Sequence, residues 1–198
     1  MEPRTSDAGL RLTPPASRTR FWLFALAFAL PVATTVVAMG ASLLGGSSMA
    51  LLGGSAPLTV AAVIAGVAVA CAALWGGLSW AMRRQSLTVA GDALDVRSSF
   101  YRHRMPVAEM KLDQARVVDL DEHTELQPTL KTNGFSIPGF RSGWFLLRNR
   151  RRTFVATGDG RRKLWLPGNG RSDMLLDVVD ATALLTRLRD LADGRSRG

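Results

Sequence analysis

The sequence predicts an α+β chain in which a two-helix transmembrane hairpin precedes an antiparallel β-barrel or sandwich closed by one C-terminal α-helix. Three observations carry that prediction. Residues 21–82 form an uninterrupted run without Asp, Glu, Lys, Arg or His. From Ser86 the pattern changes to short β-like runs separated by turn residues, and from Asp180 the apolar residues recur at helical spacing.

The uncharged run is long enough for two crossings and a turn, since a helix needs roughly 20 apolar residues to span a hydrocarbon core of about 30 Å. We place the first crossing at residues 21–44, with Phe21 and Trp22 at its entrance and Pro31 as a kink inside it. The second covers residues 57–82, with Trp75 and Trp80 near its exit. Arg18 and Arg20 precede the run and Arg83 and Arg84 follow it, whereas the Gly- and Ser-rich loop at 45–56 has no charge. By the positive-inside rule both termini are then cytoplasmic. A rival reading takes residues 4–44 as a secretory signal cleaved near Ala38 and Gly40, but the apolar run exceeds the usual signal core of about 7 to 15 residues. Ala62, Gly66 and Ala70 recur at four-residue spacing, which suits close helix packing, with the first crossing or with a second copy of the chain.

Residues 1–20, rich in Pro, Ser, Thr and Arg, read as a disordered cytoplasmic tail, and residues 83–198 as one cytoplasmic domain. The net charge is +9 and it is uneven. Nine Arg or Lys fall between Arg141 and Arg171 against the single Asp159. A basic surface of this kind suits phosphates, and beside a membrane anchor the expected partner is the lipid bilayer with its anionic headgroups, not nucleic acid. Cys71 is the only cysteine and lies in an apolar run, so no disulfide framework or thiolate metal cluster is available.

Candidate strands are residues 86–90, 93–99, 104–107, 115–120, 144–148, 153–157, 162–166 and 174–178. Gly91-Asp92 joins the first two, Asn133-Gly134 and Pro138-Gly139 mark turns, and Gly158-Asp159-Gly160 has the chemistry of a tight hairpin. The closing helix has Asp180 as N-cap and Gly194 as C-terminal stop, with Leu184, Leu185 and Leu188 on its apolar face.

This order, strands first and one helix last, together with the stretch TNGFSIPGFRSGWFLLRN at 132–149 and FVATGDGRRKLWLP at 154–167, resembles the bacterial PH-domain family. The resemblance spans roughly residues 86–192. It implies a PH-like fold beside transmembrane helices in the bacterial inner membrane, and little about activity. One departure is the loop 90–93, Ala-Gly-Asp-Ala, which lacks the bases that phosphoinositide-binding PH domains carry there.

The candidate ligand or lipid contacts are Arg141, Arg148, Arg150, Arg151 and Arg152, the last four fanning from an expected hairpin tip. A solvated turn is the plainer alternative. Asp119, Asp121, Glu122, His123 and Glu125 fall within seven positions, but no hydrolase motif accompanies them, and a charged loop explains them better than a metal or acid-base site. Phe135, Phe140, Trp144, Phe145 and Trp165 read as core residues or as the lining of a peptide groove. The functional expectation is a membrane-anchored, non-catalytic binding or assembly module without cofactor, holding an unidentified protein partner or a second copy of itself. The alternatives are an anionic-headgroup-binding domain and, less favoured, an enzyme using the acidic loop.

Overall fold

The computed structural model describes residues 10–45, 55–170 and 172–196, and the chain divides into two compact units, residues 20–80 and the remainder. Most of the 45–56 loop lies outside the described residues.

The first unit contains most of two apolar helices, α1 (Ser17–Leu44) and α2 (Ala56–Arg83), each of 28 residues and each long and apolar enough to cross a membrane. Their large apolar side chains point outward: Leu44 is 92% exposed, and Val37 and Val69 are 70%. Pro31 has no N–H to give the carbonyl of Ala27, and its ring crowds that oxygen. The helix answers by widening into a π turn at Ala25–Ala29, where the Leu30 N–H reaches the Ala25 carbonyl. The hydroxyls of Thr34 and Thr35 donate to the Pro31 carbonyl at 2.9 and 2.8 Å. Phe24 of α1 meets Trp75 of α2 edge-on at 5.8 Å. The small-residue stripe behaves differently from the expectation that it packs on α1. Ala62, Gly66 and Ala70 are exposed, and a Cβ built at Gly66 meets nothing within 4 Å.

The second unit is β-rich. A three-stranded antiparallel sheet is formed by β1 (Gln85–Ala90), β2 (Ala93–Ser98) and β3 (Tyr101–Pro106), with Gly91 at φ 61° in the first turn as its sequence requires. The other strands are β4 (Arg116–Asp119), β5 (Pro128–Ile137), β6 (Phe140–Leu147), β7 (Arg152–Thr157), β8 (Arg162–Leu166) and β9 (Ser172–Leu176), in the order β4-β8-β9-β7-β6-β5. The helix α3 (Ala181–Ser196) follows.

This is an α+β fold of two sheets, and the expected barrel closure is not found. Nor is the larger sheet wholly antiparallel. The Gly158–Gly160 segment does not close a hairpin, because β9 inserts between β7 and β8 and runs parallel to β7. Burial explains the insertion. Phe154, Val155, Met174, Leu175 and Leu176 are all fully buried, so β7 and β9 need cover on both faces and take the middle of the sheet.

One face packs Phe154, Leu164, Leu166 and Met174 against Leu94, Val96 and Met105 of the smaller sheet and Leu184 and Leu188 of α3. The other face gathers Val118, Leu126, Phe145, Leu147, Val155 and Leu175.

Two turn assignments also change. Pro138-Gly139 does turn the chain, with Gly139 at φ 79°, but Asn133-Gly134 lies inside β5, whose register shifts at two places absorb its extra length against β6. Gly143 lets the two backbones meet there, since a Cβ on it would fall 2.6 Å from the Asn133 carbonyl oxygen. Asp180 caps α3, accepting the Ala183 N–H at 2.8 Å, whereas Gly194 does not stop the helix, which runs on to Ser196.

The tail differs from its expectation as well. Leu12 bridges Val178 in antiparallel fashion and is buried, with Thr13 N–H donating to Asp177 and Val179 N–H to Arg11. Residues 1–9 lie outside the described residues.

Leu188 is fully buried between α3 and the sheets. Leu188→Ala is expected to cost about 2–5 kcal/mol, and thermal unfolding of the full chain in detergent checks it. An unchanged midpoint would remove α3 from the core.

Candidate functional site

The hairpin between β6 and β7 presents the expected arginines, and packing gives each a different task. Arg151 is bidentate on Asp173, Nε at 2.6 Å and the second nitrogen at 2.5 Å. Asp173 is fully buried and also accepts the Gly168 N–H at 3.1 Å. The hydrogen bond to Asp173 holds the Arg151 guanidinium above its ordinary pKa, so this side chain is a fixed cation. Arg152 lies over the Trp144 ring, 4.6 Å from its centroid. Arg150 takes the left-handed turn position at φ 64°, and Arg148 is exposed, its N–H donating to the Gln127 carbonyl.

Arg141 belongs elsewhere. It sits at the start of β6, seven residues from Arg148, hence about 23 Å away at roughly 3.3 Å per residue. There it lines an open groove of about 710 Å³ together with Asp121, Asp159 and Arg161. The five candidate arginines therefore do not form one site. Lys163, which looks like surface charge in sequence, is buried and donates to Asp177 and to the Gly158 carbonyl. Burial pushes its pKa down while the Asp177 hydrogen bond pulls it back up.

Two concave sites come from residues that the sequence reading did not combine. A small pocket of about 200 Å³ opens at the root of the β6–β7 hairpin, and Lys111, Arg116, Asn149 and Arg151 line it with Trp165 and Glu125. Arg116 lies 5.3 Å from the Trp165 ring centroid. Lys111 and Arg116 are remote in sequence from Arg151; the Lys111 N–H on the Pro167 carbonyl and the pairing of β4 with β8 bring them in. A larger groove of about 810 Å³ runs beside β1 and the segment around Leu12.

The acidic segment is a structured turn. Asp119 accepts the Asp121 N–H through its side chain and the His123 N–H through its carbonyl. Asp121 pairs with Arg161 at 3.4 Å, and His123 Nδ1 is 3.2 Å from Glu125. Among the described residues no three metal-ligating side chains come together. Of the aromatics, Phe140 and Phe145 are buried. Trp144, half-buried, sits between Arg152 and His103.

Comparison with protein-family models, with curated proteins and with solved structures found no match in any of the three.

Two expectations follow. Arg151→Ser strands the buried Asp173 carboxylate and is expected to cost about 3–5 kcal/mol, whereas Arg148→Ser, at an exposed position, changes stability by no more than about 0.5 kcal/mol; denaturant unfolding of the two variants compares them. Equal effects would contradict the assigned roles. The second concerns His103, which packs on Trp144 at 4.7 Å and Phe154 at 5.5 Å with Nε2 buried and unpartnered. Burial pushes its pKa below the ordinary 6.5, and Arg152 adds to this while Glu109 opposes it. The unfolded chain thus takes up the proton first. His103 favours folding above pH 6.5, and that contribution is lost as pH falls through 6.5 towards the lowered value. His103→Phe should flatten this part of the stability–pH profile, and an unaltered slope would place the titration elsewhere.

Proposed function

We propose that the protein is a membrane-anchored, non-catalytic binding module whose two apolar helices cross the bacterial inner membrane, both termini cytoplasmic, and hold a PH-like domain at the bilayer surface. The observation that carries the reading is the pair of 28-residue helices with outward apolar side chains. Such a surface exceeds by far the few hundred Å² of contiguous apolar area that a water-soluble monomer tolerates. Only Arg84 separates α2 from β1, so the tether is short. The non-catalytic part of the reading is supported by the buried ionic groups: Asp173, Asp177 and Lys163 are engaged in structural pairs. Its partner is a protein or a second copy of the chain.

A second reading, recognition of anionic headgroups, is favoured by one specific observation. Lys111 and Arg116, in no ion pair among the described residues, line the same small pocket, with Glu125 as its one acid.

Membrane insertion is tested by alkaline carbonate extraction, which should leave the chain in the pellet. Orientation is tested by single cysteines in a Cys71→Ala background. Ser55→Cys is expected to react with an impermeant maleimide added outside intact cells, and Asp193→Cys only after permeabilisation. The reverse pattern would invert the topology, and release by carbonate would remove the anchor.

A further inference from the structure

The groove of about 810 Å³ beside β1 is lined by fourteen residues without an acidic one among them. Its accessible apolar surface comes from Leu10, Val89 and Val179, the last of them 61% exposed, over the buried Leu12, Met82 and Leu87. Arg11, Arg83 and Arg187 supply its charge, and none of the three is in an ion pair among the described residues. The volume falls within the range of small-molecule sites, roughly 300 to 1,000 Å³. An apolar trough lined by cations that have no acid partner among the described residues is complementary to an anionic amphiphile.

Chain continuity narrows the source. Pro15, on one wall, is two residues before α1 begins, and Met82 and Arg83, on the other, are the last residues of α2. On the reading that these helices cross a membrane, which this inference rests on, both walls are tethered within a few residues of a lipid leaflet. Another occupant is conceivable because β1 is the edge of its sheet and a peptide strand could add to it. The opposite wall, however, gives such a strand little to pair with. Arg11 and Thr13 spend their backbone groups on Val179 and Asp177, and Pro14 and Pro15 follow at once, with no N–H to donate.

We propose that this groove binds one anionic phospholipid, with the phosphate among Arg11, Arg83 and Arg187 and an acyl chain along Leu10, Val89 and Val179. The site is separate from the hairpin arginines and from the small pocket at their root. Each arginine beside an anionic headgroup contributes about fivefold in affinity, so two contribute about 30-fold.

The test uses the full-length chain, delipidated in detergent, with dioctanoyl phosphatidylglycerol, dioctanoyl phosphatidylcholine and the deacylated glycerophosphoglycerol as probes, read by native mass spectrometry and by displacement of a fluorescent phosphatidylglycerol. One phosphatidylglycerol per chain is expected, preferred at least about tenfold over phosphatidylcholine, with no displacement by the deacylated headgroup. Arg11→Ser with Arg187→Ser should weaken binding about 30-fold, and Thr88→Trp, a bulky side chain at an exposed lining position, should plug the groove without touching the arginines. Circular dichroism of both variants should match the unsubstituted chain. Equal binding of the two lipids, displacement by the deacylated headgroup, or unchanged binding by the two folded variants would each overturn the proposal. Displacement of the lipid by an acidic peptide at lower concentration would make β1 a strand-addition site instead. Because the probes are dispersed in detergent, failure here leaves the membrane anchor standing, and carbonate extraction judges the anchor separately.

Discussion

Two buried carboxylates hold the ends of β9, and the second unit depends on them. This strand has sheet neighbours on both edges and apolar cover on both faces, so the two carboxylates at its ends are buried. Asp173, at its start, is satisfied by Arg151 and the Gly168 N–H. Asp177, just past its end, takes the Lys163 ammonium, the Gly158 N–H at 3.1 Å and the Thr13 hydroxyl at 2.7 Å. A buried charge without such partners costs several kcal/mol, so the surrounding loops are obliged to adopt the conformations that deliver these donors. Through Asp177 alone, the end of β7, the strand β8 and the segment before α1 are tied to one point.

That requirement redistributes the basic charge. In sequence the run between Arg141 and Arg171 is a single positive block. In the fold Arg151 and Lys163 serve buried acids, Arg152 covers an indole, and Arg141 faces a different groove. Arg11, Arg83 and Arg187, scattered through the sequence and in no ion pair among the described residues, line the groove beside β1. The distinction between these groups is desolvation. A guanidinium fixed on a buried carboxylate is part of the core's electrostatics, whereas an unpaired one on an open groove retains its attraction for an anion.

The two apolar helices obey a separate logic. Their exposed leucines and valines do not belong to either hydrophobic cluster of the β-rich unit, and the irregularity at Pro31 is absorbed within the helix by a π turn. A helix in hydrocarbon must satisfy its backbone internally, and the π turn, with the Leu30 N–H on the Ala25 carbonyl, is a local means to that end.

The sequence by itself determined the features governed by local chemistry. An uncharged run of that length becomes two helices, Gly91-Asp92 and Pro138-Gly139 become turns, Asp180 becomes a cap, and Leu184 and Leu188 become core, because each depends on residues a few positions apart. Long-range pairing was not legible. Periodicity marks β7, β8 and β9 as strands but contains nothing about their spatial order, and the tight-turn chemistry of Gly158-Asp159-Gly160 points to a hairpin that the intruding β9 excludes. For the same reason Lys163 reads as surface charge and residues 10–13 as loose tail, although Asp177 holds both. Of the candidate site, the sequence indicated the arginines but not their partners. Only the tertiary structure decided which cations are neutralised inside the protein and which remain available, since that depends on carboxylates brought in from strands more than ten residues away.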